Sequence, residues 1–453
     1  MVVKTAVIKE LEALFGQSGN QLLVLYGRTD SEKELLLKTF VQNKKYFYYR
    51  ARQVSAAEQV RQMGEEVERR FDVTPAKQTY EEYFKRVKSG DPSKLVIVID
   101  EFQLIAKKDP AFFEAVLKLK AKRLYPGPLM ILLCSSAIPW VEREMESCFG
   151  EDARKIEKRI KIGNLNFLEV VRALPEYPVS ECIKTYGIIG GVPGYLNRFH
   201  PKADLKTNIC RQILSRSGYL YGAAESRLGE SLRELSVYET ILSHIAAGCD
   251  KLNDLYAATG FSRAKISVYM KNLAASDIIE KVVSFETGGW ENAKKGVYRI
   301  KDNYINFWFH FIYPHLSESY MMGAEKFYDA YIAPGLDAYL NRYFVEVCME
   351  YLALLGVVGK TPLKIAKMGT WVGKEGNIDI IAQNEIRQNM VGLCNWSAPV
   401  LTMEMCEELF TAMKKAKIKA EYYFLFSAKG FAEDVIKMAE QNKQFLLVDM
   451  NEL

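Results

Sequence analysis

Lys33 stands between two glutamates in Arg28-Thr29-Asp30-Ser31-Glu32-Lys33-Glu34, just after an apolar run that ends at Gly27. A lysine closing a polar turn suits one chemistry above others. It offers a point charge to the β- and γ-phosphates of a nucleotide, beside backbone N–H groups at a helix N-terminus. Further along, Lys94–Ile99, KLVIVI, runs straight into Asp100-Glu101. An Asp ending a buried strand can hold Mg2+ through water, and the Glu beside it can polarise an attacking water. An acidic helix start after a strand is the plainer alternative. The candidate nucleotide-binding residues are Gly27, Arg28, Ser31, Lys33 and Glu34. Asp100 is the candidate for the metal, and Glu101 is the catalytic group if ATP is hydrolysed.

The loop departs from what that chemistry requires. A phosphate-binding loop has Gly immediately before the Lys and Ser or Thr after it; here those places hold Glu32 and Glu34. Glu32 puts a side chain where backbone should approach phosphate. Glu34 replaces the hydroxyl that ligates Mg2+. Each like charge a few ångströms from a triphosphate costs roughly 1–4 kcal/mol, depending on the local dielectric. ATP and Mg2+ are therefore the expected cofactors, weakly held.

The elements that must position these residues are those of an open α/β sheet. Leu22–Tyr26 is an apolar run fit for a buried parallel strand, and Glu34–Phe40 is Leu-rich with helical character. Lys45–Arg50, KYFYYR, and Leu129–Cys134, LMILLC, read as further strands, and Arg159–Ile162 closes the sheet. Asp100-Glu101 then lies at a strand's carboxyl end, where such sheets bind ligands. Ser135-Ser136 ends another strand, either as a polar sensor of the γ-phosphate or as an ordinary strand-to-helix turn.

Composition narrows the class. With 453 residues the chain is long enough for roughly three domains. Hydrophobic residues make up 49% and charged residues 26%, so each domain can bury a core. A net charge of +5 permits nucleic-acid contact without demanding it. Four His and eight scattered Cys, without CxxC or zinc spacing, argue against a metal cage. No apolar run approaches the ~18–20 residues that span a bilayer, and no signal peptide is evident, so a soluble, cytoplasmic protein without membrane contact is expected.

Four regions are expected: 1–165, a P-loop ATPase-like core; 166–230, a helical lid; 231–315, a winged helix; and 316–453, a compact α/β domain. In the third, helices at Tyr238–Ala247, Lys251–Thr259 and Arg263–Ser276 precede strands at Ile278–Phe285 and Gly296–Ile300. Arg263, Lys265 and Lys271 on the third helix, with Lys294 and Lys295 in the hairpin, suit DNA phosphates. Intramolecular packing is the alternative use of such a fold. The aromatic run Asp302–Pro314, with its rings on several faces, reads as core rather than as a base-stacking platform.

Taken together, these pieces resemble the archaeal-type P-loop ATPase family of the AAA and signal-transduction ATPase class, whose members carry a C-terminal PD-(D/E)XK nuclease-like domain. The resemblance covers nearly the whole chain. It rests on Tyr26-Gly27-Arg28, Ile99-Asp100-Glu101-Phe102, Gly190-Gly191-Val192-Pro193-Gly194-Tyr195-Leu196, the aromatic segment Tyr298 to Trp308, and Asn377-Ile378-Asp379-Ile380. It implies the roles given above for Gly27, Lys33, Asp100 and Glu101. In the last domain it matches Glu346 to the helix carboxylate and Asp379 to the strand carboxylate. The family's Glu-x-Lys is replaced by Leu393-Cys394-Asn395, while Trp396 is kept. Two carboxylates and a lysine are needed for phosphodiester hydrolysis, so the implied nuclease site of Glu346, Asp379, Leu393 and Asn395 is degenerate. Leu393 and Asn395 are expected on one face with Asp379, which should in turn face Glu346.

The sequence thus supports a regulatory or interaction module of ATPase fold, with DNA or a protein as partner. A working ATPase switch with an atypical loop is the alternative.

Overall fold

Three of the apolar runs form the middle of a parallel sheet. β1 (Gln21–Gly27), β3 (Leu95–Asp100) and β4 (Leu129–Ser135) are buried at every residue, as strands covered on both faces must be. With β2 (Lys45–Arg50) and β5 (Lys158–Ile162) they assemble in the order β2-β3-β4-β1-β5, all parallel. Alternation along β1 sends Leu22, Val24 and Tyr26 into one core and Leu23 and Leu25 into the other. Helices α1 (Thr5–Phe15) and α2 (Lys33–Val41) cover the second core with Leu11, Leu36, Leu37 and Phe40. Helix α3 (Ala56–Phe71), capped by the Ser55 hydroxyl, covers the first with Met63 and Val67.

The structure is a computed structural model and describes residues 2–87, 93–125, 127–229, 232–286, 296–373 and 376–452. It divides into two compact units. The parallel sheet and its helices, Met1–Asn164, form the first together with Val192–Gly194; Leu165–Gly191 and Tyr195–Leu453 form the second. In the first unit a Cβ on Gly194 would lie 2.8 Å from the Asp30 carbonyl oxygen, so only glycine lets that segment approach the loop.

The second unit holds helices Leu235–Ala246, Leu252–Thr259 and Arg263–Ala275, followed by an antiparallel ribbon of β6 (Ile279–Val283) and β7 (Gly296–Ile300). The hairpin expected at Glu286–Lys295 lies, after Glu286, outside the described residues, and Lys294 and Lys295 with it. In the aromatic run, Tyr304, Phe307, Trp308, Phe309 and Phe311 are all buried. A 25-residue helix, Ala333–Val357, then leads to a second five-stranded sheet. Its strands are β8 (Lys367–Val372), β9 (Asn377–Gln383), β10 (Asn389–Asn395), β11 (Tyr422–Ser427) and β12 (Phe445–Asp449), ordered β12-β11-β10-β9-β8. β8, β9 and β10 pair antiparallel, and β10, β11 and β12 pair parallel. The chain is thus a mixed α/β protein with a parallel five-stranded sheet at its N-terminal end. Among the described residues no helix is long and apolar enough to cross a membrane.

One irregularity in the second sheet matters below. Trp371 pairs with Ile378 and Gly369 with Ile381, so Asp379 and Ile380 together oppose Thr370 alone. This is a β-bulge, which re-aims side chains. It leaves both Ile378 and Ile381 in the core under helix Met403–Ala416 and shifts Asp379 out of simple alternation with them.

Candidate functional site: a lysine turn closed by its own side chains

β1 ends at Gly27 because nothing larger fits. A Cβ there would lie 2.8 Å from the Ile162 carbonyl oxygen and 3.2 Å from Ser31 Oγ. The chain then turns through Arg28, extended, and a single 3-10 turn at Thr29–Ser31. Glu32 follows with φ 55° and ψ 36°. This left-handed conformation is the one that favours glycine, the residue a phosphate-binding loop would carry there. A non-glycine residue holds it at roughly 1 kcal/mol of strain. Helix α2 begins at Lys33 without a side-chain cap, so its first-turn N–H groups are left for a ligand or water.

Lys33 is 6% exposed and does not reach toward open space. Its Nζ lies 2.6 Å from Asp100 Oδ1 and 2.6 Å from Glu101 Oε1. Burial presses its pKa down, but Asp100 and Glu101 outweigh burial and hold it above the ordinary lysine value. The second oxygen of Glu101 accepts from Gln103 Nε2 at 2.7 Å, Ser136 N at 3.1 Å and Ser136 Oγ at 2.7 Å. Burial works to raise its pKa. Lys33, Gln103 and Ser136 overcome that and bring it down to about 2. Asp100, fully buried, accepts from Tyr48 OH at 2.9 Å through Oδ2, and Arg50 Nε lies 3.9 Å from the same oxygen. Glu34 pairs with Arg50 on the outer side. Tyr48 and Arg50 were not candidates from the sequence. They enter because β2 lies beside β3, with Arg50 in register with Asp100.

The structure thus brings Lys33, Asp100, Glu101, Ser136 and, through Arg50, Glu34 into one network. Ser31 is 1% exposed and its Oγ has no hydrogen-bond partner among the described residues, which fits a phosphate oxygen. The residues do not fit Mg2+. The hydroxyl beside the lysine is absent, Asp100 is engaged by Lys33 and Tyr48, and Glu34 is engaged by Arg50. Among the described residues no group of three or more His, Cys, Asp or Glu could hold a metal ion. Glu101 makes a poor general base as it stands, since both oxygens are engaged and its proton affinity is low.

The low pKa of Glu101 has a sign that can be checked. A carboxylate depressed on folding adds stability above its ordinary pKa, and that stability is lost as pH falls toward the folded value. The stabilising share of Glu101 should therefore disappear between pH 4.5 and about 2. Acid unfolding followed by circular dichroism should be shallower in Glu101→Gln over that window, and an unchanged acid limb would refute the coupling.

The second set of candidates is not brought together. Asp379 Oδ2 accepts from Cys394 N at 2.9 Å and sits beside the Cys348 and Cys394 thiols, which contact one another. Burial raises its pKa to about 6. Leu393 packs on the opposite side, in the cores under helices Met403–Ala416 and Glu433–Gln441, with Leu409 and Val435. It does not share a pocket with Asp379 as the sequence suggested. Asn395 closes a turn, accepting from Ala398 N at 3.0 Å. Glu346 lies 3.4 Å from both Arg299 and Arg342, which tie the long helix to the ribbon. The neighbours that matter to Asp379, Cys348 and Cys394, were signalled only by the apolar spacing around Phe344, Val347 and Cys348.

On helix Arg263–Ala275, Arg263 and Lys271 are exposed. Lys265 leans over the Phe261 ring at 4.7 Å, and Arg263 lies 5.2 Å from the Tyr256 ring.

Residues 308–420 match a family described as archaea bacterial proteins of unknown function. An uncharacterized protein of Methanocaldococcus jannaschii is 26% identical over 380 residues, covering 83% of each chain. Among solved structures, the Walker-type ATPase of Pyrococcus abyssi is similar at TM-score 0.48 and 15% identity, over 68% of this chain and 96% of that one. The ORC2 protein of Aeropyrum pernix, in ADPNP–ADP complexes, is similar at TM-score 0.42 and 13% identity, over 72% of this chain and 93% of that one.

Proposed function

We propose that this chain is a regulatory or interaction module of P-loop ATPase fold whose phosphate site is held shut by its own side chains. The observation that carries this reading is Lys33, whose ammonium sits between Asp100 and Glu101 at 2.6 Å from each. A nucleotide must draw Lys33 away from two buried carboxylates, and leaving buried charges unpaired is costly. Glu32 and Glu34 add negative charge at the mouth. ATP binds weakly, and turnover is negligible because Glu101 lacks a free oxygen for water. Thermal melting with and without millimolar ATP·Mg2+ tests this. Ligand near its Kd stabilises by only about 0.4 kcal/mol, so the expected shift is under about 2 °C. A large shift, saturating at micromolar ligand, would overturn the closed-site reading. It would favour a working ATPase switch, for which the unpartnered Ser31 hydroxyl is the specific support.

The helices Leu235–Ala246, Leu252–Thr259 and Arg263–Ala275 with the β6–β7 ribbon have the order of a winged helix, and we assign DNA contact, if the module acts on DNA, to that element. The exposed Arg263 and Lys271 support it. Replacing Arg263, Lys265 and Lys271 by Ala should weaken duplex binding at low salt and flatten its salt dependence by about one unit of slope per lost phosphate contact. An unchanged slope would place the contact elsewhere. The final sheet with its long helix is read as a nuclease-like domain without the reaction, used for docking.

A further inference from the structure

A cavity lies at the edge of the parallel sheet, within the first unit, with Glu34 of the first turn of α2 in its wall. It occupies about 520 Å3 between α2, α3 and the outer strand β2. That size falls in the ordinary range for small-ligand sites, which have an apolar body and a few convergent polar groups. Leu37, Val41 and Val98 supply apolar wall, and Tyr46 presents a ring that is 40% exposed. An exposed tyrosine at a concave mouth is a stacking surface.

The charges at this mouth are unbalanced. Both carboxylates in its wall are already paired, Glu34 with Arg50 and Glu66 with Arg69. Lys38 and Arg70, also in the wall, have no carboxylate partner among the described residues. Arg70 lies 6.0 Å over the Tyr46 ring, and its guanidinium still has its donors to offer. Two unpaired cations flanking an exposed aromatic ring above an apolar wall match a ligand with an aromatic plane and an anionic end.

We propose that this cavity binds a planar aromatic anion of mononucleotide size, its ring against Tyr46 and its phosphate on Lys38 and Arg70. The site borders the phosphate loop, with which it shares Glu34, but its ligand does not use Lys33 and needs no divalent ion. Arg50 and Tyr48 stand in its wall and also contact Glu34 and Asp100, so the ligand would sit next to the residues that keep the loop closed.

The test is calorimetric titration of the full chain with AMP, GMP and inorganic phosphate in EDTA. AMP or GMP should bind with a Kd of about 1 mM or tighter. Lys38→Glu with Arg70→Glu should weaken it at least about tenfold, and Tyr46→Ala should weaken the nucleotide but not phosphate. These are surface changes, and unaltered melting checks that the fold is kept. Glu32→Gly, which changes the phosphate loop but not this cavity, should leave AMP affinity within about twofold. No nucleotide binding, binding indifferent to the charge reversal, or affinity raised by Glu32→Gly would each overturn the proposal. So would an acidic peptide binding where nucleotides do not, which would mark a strand-addition groove along β2.

Discussion

Glu32→Gly with Glu34→Thr should strengthen ATP·Mg2+ binding at least about tenfold, worth roughly 1.4 kcal/mol. The expectation is built from four terms of the same sign. Glycine at position 32 adopts φ 55° freely and takes away the side chain that stands where backbone should approach phosphate. Losing the Glu32 carboxylate removes one repulsion from the triphosphate. Losing Glu34 removes a second, and the Thr hydroxyl restores the missing oxygen ligand. A further consequence acts in the same direction. Arg50 loses its Glu34 partner and is left 3.9 Å from Asp100, free to compete with Lys33 for that carboxylate. That competition also helps release Lys33, so the net sign stands. Calorimetric titration of both forms decides it. Equal and tight binding by the parent protein would show that the two glutamates do not cripple the loop, and that the closed network opens at little cost. The single change Glu32→Gly separates the contributions: it should capture the steric term and one repulsion while leaving the Glu34–Arg50 pair intact.

What the sequence discloses here, and what it hides, follows from the range of each physical signal. The β1–turn–α2 layout is local: an apolar run, Gly27, a polar turn and a Leu-rich helix are all written in consecutive residues. The network that shuts the site is not local. Tyr48 and Arg50 belong to it only because β2 is neighbour to β3, and lateral strand order leaves no mark on either strand. Lys33 stands out in the sequence as the lysine of that turn, but whether its ammonium faces solvent or two carboxylates depends on sheet geometry. In the second sheet the failure is one of phase. Alternation puts Leu393 and Asn395 on one face, yet the bulge at Asp379–Ile380 moves Asp379 off the face they share. Glu346 fails for a helical reason. Phe344, Cys348 and Tyr351 meet Trp396, Cys394 and Phe426 on the sheet. A residue two positions from Phe344 is about 200° around the helix, so Glu346 turns to Arg299 and Arg342. That periodicity was available in the sequence and would have corrected the assignment.

Asp379→Asn should stabilise the protein at pH 8 by about 1–3 kcal/mol and change it little near pH 4. The parent carboxyl sits among buried thiols and accepts one hydrogen bond, from Cys394 N. Burial raises its pKa from the ordinary 3.8 to about 6. For an acid whose pKa rises on folding, the folded state holds its proton while the unfolded state has already lost it. Stability is therefore complete at low pH, falls as pH climbs through that interval, and stays reduced above it. The rise from 3.8 to about 6 corresponds to about 3 kcal/mol, and residual solvent contact at the partly buried side chain brings the expectation below that figure. Asparagine keeps an oxygen to accept from Cys394 N and has no proton to lose, so it removes the penalty without opening a cavity. Denaturant melts of parent and variant at both pH values measure the difference. A metal-binding nuclease carboxylate predicts another pattern, since Asp379→Asn would then abolish Mg2+- or Mn2+-dependent cleavage of single- or double-stranded DNA. We expect no cleavage by the parent in either metal, because Glu346 is engaged by two arginines and Leu393 packs on the far side of the sheet. Cleavage that vanishes in the variant, or a variant less stable than its parent at pH 8, would show that Asp379 holds a charged partner after all.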